Sequence, residues 1–148
     1  MSSSRQSNAV PAGAAAPGSP PAPIDPRALA AAGLRAFARI AAAWRLTVDQ
    51  QLILLGSPAR STFFAWRKDP ARAVLSRDTL ERLSYLLGIY KALQILLPDP
   101  QAADAWVRKP NAAPLFGGRS ALERMLSGNV ADLYVVRQYL DAQLGGWA

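Results

Sequence analysis

The residues best equipped for chemistry are cations and aromatics gathered in one window, SPARSTFFAWRK, from Ser57 to Lys68. Laid on a helix at about 100° per residue, Ala59, Thr62, Phe63 and Trp66 share one side and are expected to pack on neighbouring helices. Arg60, Ser61, Phe64 and Lys68 fall on the opposite side with Arg67 at its flank, and Ser57 stands just ahead as a helix cap. Such a face suits a DNA major groove, where Arg reads the edge of guanine and Lys reaches phosphate. The candidate DNA-binding residues are therefore Ser57, Arg60, Ser61, Phe64, Arg67 and Lys68. Phe64 has burial against a neighbouring helix as its alternative, and the cations a solvated surface.

What is missing narrows the field. There is no Cys and no His in 148 residues. That removes disulfides, thiolate zinc sites, Cys nucleophiles, imidazole bases and the commonest metal ligand together. No catalytic, cofactor or metal site is expected, and no enzymatic activity of the chain's own. The net charge of +7 is unevenly placed: residues 26 to 97 hold eleven basic and four acidic side chains, while residues 98 to 148 hold five of each. A local basic excess concentrates a polyanion, and phosphate contacts dominate nucleic-acid affinity. If any part of the chain binds nucleic acid, it is the middle.

An all-α framework is expected around that window. Residues 1 to 24 are a low-complexity Ser/Ala/Pro/Gly tail with too little large apolar surface to offset ordering entropy, and so read as disordered. Asp25 and Pro26 open a helix to about Arg45, with Leu29, Leu34, Phe37, Ile40 and Trp44 facing a core. Thr47 and Gln50 form a capping box for a short second helix that Gly56 stops at Leu55, and a third runs from about Pro58 to Lys68. Two short helices broken at a Gly are the helix-turn-helix signature. Ser76 caps a long helix to about Leu97, apolar over so much of its circumference (Leu83, Leu86, Tyr90, Leu93 and Leu97, widened by Leu80, Leu87, Ile89 and Leu96) that it must be covered on more than one side. These helices make residues 25 to 97 a helix-turn-helix region with a long connecting helix. The stripe also offers surface to a second copy, and two-fold operators normally match two-fold proteins, so a homodimer is expected.

Residues 98 to 148 form the second region. Pro98, Asp99 and Pro100 break the chain, a short helix reaches about Arg108, and the loop PNAAPLFGG fixes its backbone by residue type. Trp106 and Phe116 read as the core of a small domain, and Asn111 as a cap for backbone groups. A last helix from Val130 to about Leu144, capped by Asn129, places Val130, Leu133, Tyr134, Leu140 and Leu144 on one face. Arg137 falls inside that face and needs a carboxylate or carbonyls: Asp141, one turn on, or a partner. Past Leu144 come Gly145, Gly146, Trp147 and Ala148, an aromatic beside the terminal carboxylate that either folds back or anchors in a partner's pocket.

The run WVRKPNAAPLFGGRSALERMLSG from Trp106 to Gly128, followed by VRQYLD, resembles the toxin-binding domain of the Xre/ParS-type antitoxins, partners of RES-domain toxins. The matching residues are Trp106, Pro110, Asn111, Phe116, Gly117, Gly118, Leu122, Leu126, Gly128, Val136, Arg137, Tyr139, Leu140 and Asp141. LLGSPARSTFFAWRK and LSRDTLERLSYLLGIYKALQILLPD fit the family's helix-turn-helix and connecting helix, so the resemblance spans roughly residues 30 to 144. Ser120 stands where the family usually has Pro, and either residue can start a helix. The resemblance implies a RES-domain toxin that depletes NAD as partner, neutralised by covering its active-site entrance, with operator DNA as the other partner. Asn111, Leu115, Phe116, Arg137, Leu144, Trp147 and Ala148 are the candidate toxin-binding residues. A stand-alone helix-turn-helix regulator, using its last fifty or so residues for dimerisation or a ligand, and a helical scaffold that binds no DNA are the alternatives. No segment resembles a membrane span or export signal, so a bacterial cytoplasmic protein is expected.

Overall fold

The computed structural model describes residues 25–145, and their regular secondary structure is helical. Seven α-helices follow in order: α1 (Pro26–Ala43), α2 (Val48–Leu54), α3 (Arg60–Lys68), α4 (Arg77–Leu96), α5 (Pro100–Ala105), α6 (Ala121–Met125) and α7 (Val130–Gly145). Single 3₁₀ turns at Pro70–Arg72 and Trp106–Arg108 follow α3 and α5. The expected tail, residues 1 to 24, lies outside the described residues, as do Trp147 and Ala148.

Side-chain caps set most of the helix starts. The Asp25 carboxylate accepts from the Arg27 N–H, with Pro26 in the first turn. Thr47 and Gln50 make the reciprocal capping box, at 3.1 and 2.9 Å. Ser76, Asp99 and Ser120 accept from the N–H groups of Thr79, Gln101 and Glu123. Each such cap contributes about 1 kcal/mol. Ser120 thus starts α6 as a cap, as its type predicts. Helices α1 and α2 stop the same way: a residue at positive φ turns the chain, and the next N–H reaches back five residues. Arg45 (φ 54) precedes the bond from Leu46 to the Ala41 carbonyl, and Gly56 (φ 93) the bond from Ser57 to the Leu52 carbonyl.

That second closure corrects the expected start of α3. Ser57, at φ 59, donates its N–H to the end of α2 and caps nothing in α3, which begins at Arg60 with no side-chain cap at Ala59. The following Pro58 disfavours the right-handed helical conformation at Ser57, so α2 does not run on through it.

Helix α4 is the spine. Leu83, Leu86, Ile89, Ala92 and Leu93 are buried along it, with α1 packed on one side and α5 and α7 on the other, as the breadth of its stripe requires. From α1 come Leu34, Phe37, Ile40 and Trp44, and from α7 Leu133, Val136 and Leu140. Four expected core residues lie elsewhere. Leu29 is 51% exposed, because Ala30 and Ala31 take the inward sites at that end of α1. Ala59 and Thr62 are exposed, since only Phe63 and Trp66 of α3 are buried. Tyr134 is 43% exposed and rests edge-on against Tyr85, at 5.6 Å, while Val136 takes the buried site on α7.

Candidate DNA-binding face and partner-binding domain

Helix α3 stands clear of the bundle on its outer side. Ser61, Phe64, Arg67 and Lys68 are exposed together with Arg60, while Ser57 is exposed in the preceding turn, off the helix. Phe64 is 46% exposed and touches Phe63 edge-on, so the aromatic belongs to the outer face and not to the core. Arg67 lies over the Phe63 ring, 5.8 Å from its centre, which fixes a guanidinium at the flank while leaving its donors outward. Among the described residues neither Arg67 nor Lys68 is paired with a carboxylate, whereas Arg60 bonds Asp49 of α2 at 2.8 Å. Beside α3, Arg35 and Arg39 of α1 join Arg67 around a groove of about 320 Å³ floored by Phe37, Phe63 and Trp66. No acidic residue lines it. The surface is strongly electropositive and shaped by a helix narrow enough for a major groove.

The C-terminal domain is built differently. Its centre is an aromatic trio: Phe116 meets Trp106 and Tyr139 edge-on at 5.9 and 5.3 Å, and Trp106 and Tyr139 stack at 6.4 Å. Gly117 (φ 58) and Gly118 (φ 86) turn the loop back so that Gly118 donates to the Asn111 carbonyl and Asn111 to the Arg119 carbonyl. The Asn111 side chain accepts from the Ala113 N–H, the backbone-capping role its type predicts. Phe116 is 5% exposed, so its ring belongs to the core and is not offered to a partner. Leu115 is half-buried at the rim of a cleft of about 280 Å³ that Arg119, Glu123, Ser127 and Asp132 complete.

Charges in this domain are tied to one another. Arg124 bonds the Leu115 carbonyl at 2.6 Å and Asp132 at 3.0 Å. The Ser127 hydroxyl donates to Asp132 at 2.6 Å, and that bond, with help from Arg124, holds the Asp132 carboxyl below its ordinary range. Arg137 pairs with Asp141 at 3.0 Å and reaches the Ser84 carbonyl at 3.3 Å. Its guanidinium lies on Gly88, where a Cβ would clash with Nη1. Leu144 is half-buried near the end of α7.

Two arginines that the sequence did not single out join the halves. Arg82, 8% exposed, bonds Asp78 at 2.9 Å and the Gly128 carbonyl at 2.9 Å. Arg108 donates to the carbonyls of Trp44 and Arg45 at 2.9 and 2.7 Å, satisfying the open end of α1 from the second domain. Both act on residues forty or more positions away, beyond any local pattern. Gly88 carries a partial signal: a Gly inside a helix costs about 1 kcal/mol against Ala, a cost that a packing role such as the Arg137 seat offsets.

An exposed cationic recognition helix, joined through a buried spine to a charge-balanced helical domain, defines a two-part helix-turn-helix protein. Residues 23–88 match the antitoxin Xre-like helix-turn-helix domain, and residues 92–146 match the antitoxin Xre/MbcA/ParS C-terminal toxin-binding domain. The chain is also 55% identical over 124 residues to the uncharacterized protein y4oB of Sinorhizobium fredii (strain NBRC 101917 / NGR234), covering 84% of this chain and 93% of that one. The chain belongs to the Xre/MbcA/ParS antitoxin family, with one domain of the DNA-binding kind and one of the toxin-binding kind. These families are typically non-enzymatic. No described helix is long and apolar enough to cross a membrane.

Proposed function

We propose that this antitoxin neutralises a RES-domain, NAD-depleting toxin by covering its active-site entrance, and represses its own operon by binding operator DNA as a homodimer. It catalyses no reaction, needs no cofactor and works in the cytoplasm. The observation that carries this reading is the pairing of the two matched domains with two surfaces of different electrical character. The outer side of α3 presents Arg67 and Lys68 without carboxylate partners among the described residues, which suits phosphate binding. The second domain presents a rigid, charge-balanced surface suited to protein contact. There Leu115 at its cleft, Leu144, and the tail ending in Trp147 and Ala148 are the contacts assigned to the toxin. Asn111, Phe116 and Arg137 act from behind that surface by holding the loop and α7.

Co-expression with a RES-domain toxin, sought in the neighbouring reading frame, tests the proposal. Cells are expected to survive with the full chain, and a chain lacking Gly145 to Ala148 is expected to bind DNA normally while protecting less. Full protection by the truncated chain moves the blocking surface to the 110–118 loop. Toxicity unaffected by the full chain, with no toxin recovered in a pull-down, leaves the stand-alone regulator.

A further inference from the structure

We infer that Asp49 is a positioning residue for DNA reading: it holds the Arg60 guanidinium so that its free edge meets a guanine, and so sets base preference. The inference rests on the DNA-binding role proposed for α3.

The geometry supplies the reason. Arg60 is the first residue of α3, and Asp49 sits in the first turn of α2, fixed there by the Thr47–Gln50 capping box. Nη1 of Arg60 donates to Oδ1 of Asp49 at 2.8 Å, linking two helices across eleven residues of sequence. Both side chains are largely in water, 56% and 77% exposed. A pair so exposed contributes little to folding. It does draw the Nη1 end of the guanidinium toward α2 and so orients the fork. One Nη1–H is used, which leaves Nε, Nη2 and the rest of the fork for a bidentate contact to guanine O6 and N7. A side chain already held loses less rotamer freedom on binding. A carboxylate on a DNA-facing surface also repels phosphate, which lowers affinity for every sequence alike. Base preference comes from the held fork of Arg60, and the repulsion cancels in the ratio between two duplexes.

The test uses the full chain in fluorescence anisotropy, on a duplex carrying the operon's upstream region and on an unrelated duplex of equal length, at several salt concentrations. A third duplex carries 7-deazaguanine in the upstream site, which removes the N7 acceptor. Asp49→Ala is expected to bind the unrelated duplex more tightly and to lower the ratio of upstream to unrelated affinity about three- to tenfold. It should also become less sensitive to 7-deazaguanine than the wild type. Asp49→Asn keeps an acceptor of the same shape without the charge and should retain part of the ratio. In an Arg60→Ala background, Asp49→Ala should cost nothing further in preference. An unchanged ratio in Asp49→Ala, or an equal loss with and without Arg60, overturns the inference. A wild type that binds neither duplex overturns the DNA-binding role itself, and is told apart by failing before any variant is made.

Discussion

Arg60 and Arg137 are both helical arginines bonded to an aspartate, at 2.8 and 3.0 Å, yet they belong to regions organised on opposite plans. Arg137 also meets the Ser84 carbonyl and lies on Gly88, with its side chain 34% exposed, so its guanidinium is consumed by the fold. Arg60 has one bond, is 56% exposed, and keeps the rest of its donors free. The contrast extends to the neighbours. Arg67 and Lys68 have no carboxylate partner among the described residues, while Arg124 and Arg108 are bound to groups of their own chain. Of the five cations in residues 98 to 148, Arg108, Arg124 and Arg137 are held in pairs or on carbonyls, while Lys109 and Arg119 are exposed with no carboxylate partner among the described residues. A region with free cations is built for a polyanion. One in which most cations are occupied meets partners mainly through shape and apolar contact.

The comparison breaks most visibly if the two regions are not one cooperative unit. Leu133 is fully buried where α7 packs on α4, and Leu133→Ala is expected to destabilise the protein by about 2–5 kcal/mol. Urea unfolding should show a single transition, shifted alike by far-UV dichroism and by tryptophan fluorescence. If DNA binding survives at a urea concentration that melts α7, the halves fold separately. Arg82→Ala is the polar counterpart, expected to cost about 1.5–3 kcal/mol because it leaves the Gly128 carbonyl without its charged donor. A loss near zero would leave Arg108, on the Trp44 and Arg45 carbonyls, as the polar tie between the halves.

The charge contrast itself is sharpened on DNA. Arg60→Ala is expected to lose about 1–3 kcal/mol of operator affinity and relax base preference. Arg67→Ala and Lys68→Ala should each lower the salt dependence of binding by about one counterion. Arg137→Ala should leave both affinity and salt dependence as they are. Equal salt effects from Arg137 and Arg67, read by anisotropy, would erase the distinction between free and occupied cations.

Local rules made much of this molecule legible. The caps at Asp25, Thr47, Ser76 and Ser120 and the glycine stop at Gly56 each depend on neighbours within a few residues, and each appears where the residue types place it. The outer face of α3 followed from helical periodicity, and the aromatic core from the loop that holds Phe116. What failed did so for tertiary reasons. Leu29 and Tyr134 lie on helical faces where smaller residues, Ala30, Ala31 and Val136, hold the buried sites, and only the packing partner decides between them. Ser57 was assigned to the helix ahead of it because the chain alone does not say which of two helices a turn residue serves. The pairs Asp49–Arg60 and Arg108–Trp44 join residues eleven and sixty-four apart, and no spacing rule reaches that far.

Gly88 offers a finer probe of the occupied arginine. Gly88→Ala gains about 1 kcal/mol of helix propensity but drives the Arg137 guanidinium off its seat, forfeiting the bond to the Ser84 carbonyl. The two changes oppose each other, so stability should move by less than about 1 kcal/mol. The readout is the further variant Arg137→Ala: it should be less damaging in the Gly88→Ala background than alone. Equal damage in both would mean that the seat on Gly88 does nothing for Arg137.

The smallest expected effect is acid sensitivity in the C-terminal domain. Hydrogen bonding from Ser127, with Arg124 beside it, holds the folded Asp132 carboxyl below the value it has in the unfolded chain. The unfolded state therefore takes up a proton first as the solution is acidified. The stability from this group is present in full above the unfolded carboxyl's range and is lost as pH falls through the folded value. Asp132 is 20% exposed, so water screens part of the interaction and the contribution stays modest. Between about pH 6 and about pH 3 the urea midpoint of Asp132→Asn should fall less steeply than that of the wild type, with Ser127→Ala in between. Parallel acid limbs in all three proteins would show that the Arg124–Asp132–Ser127 cluster is held by shape, and that the charges of this domain are less firmly engaged than their distances imply.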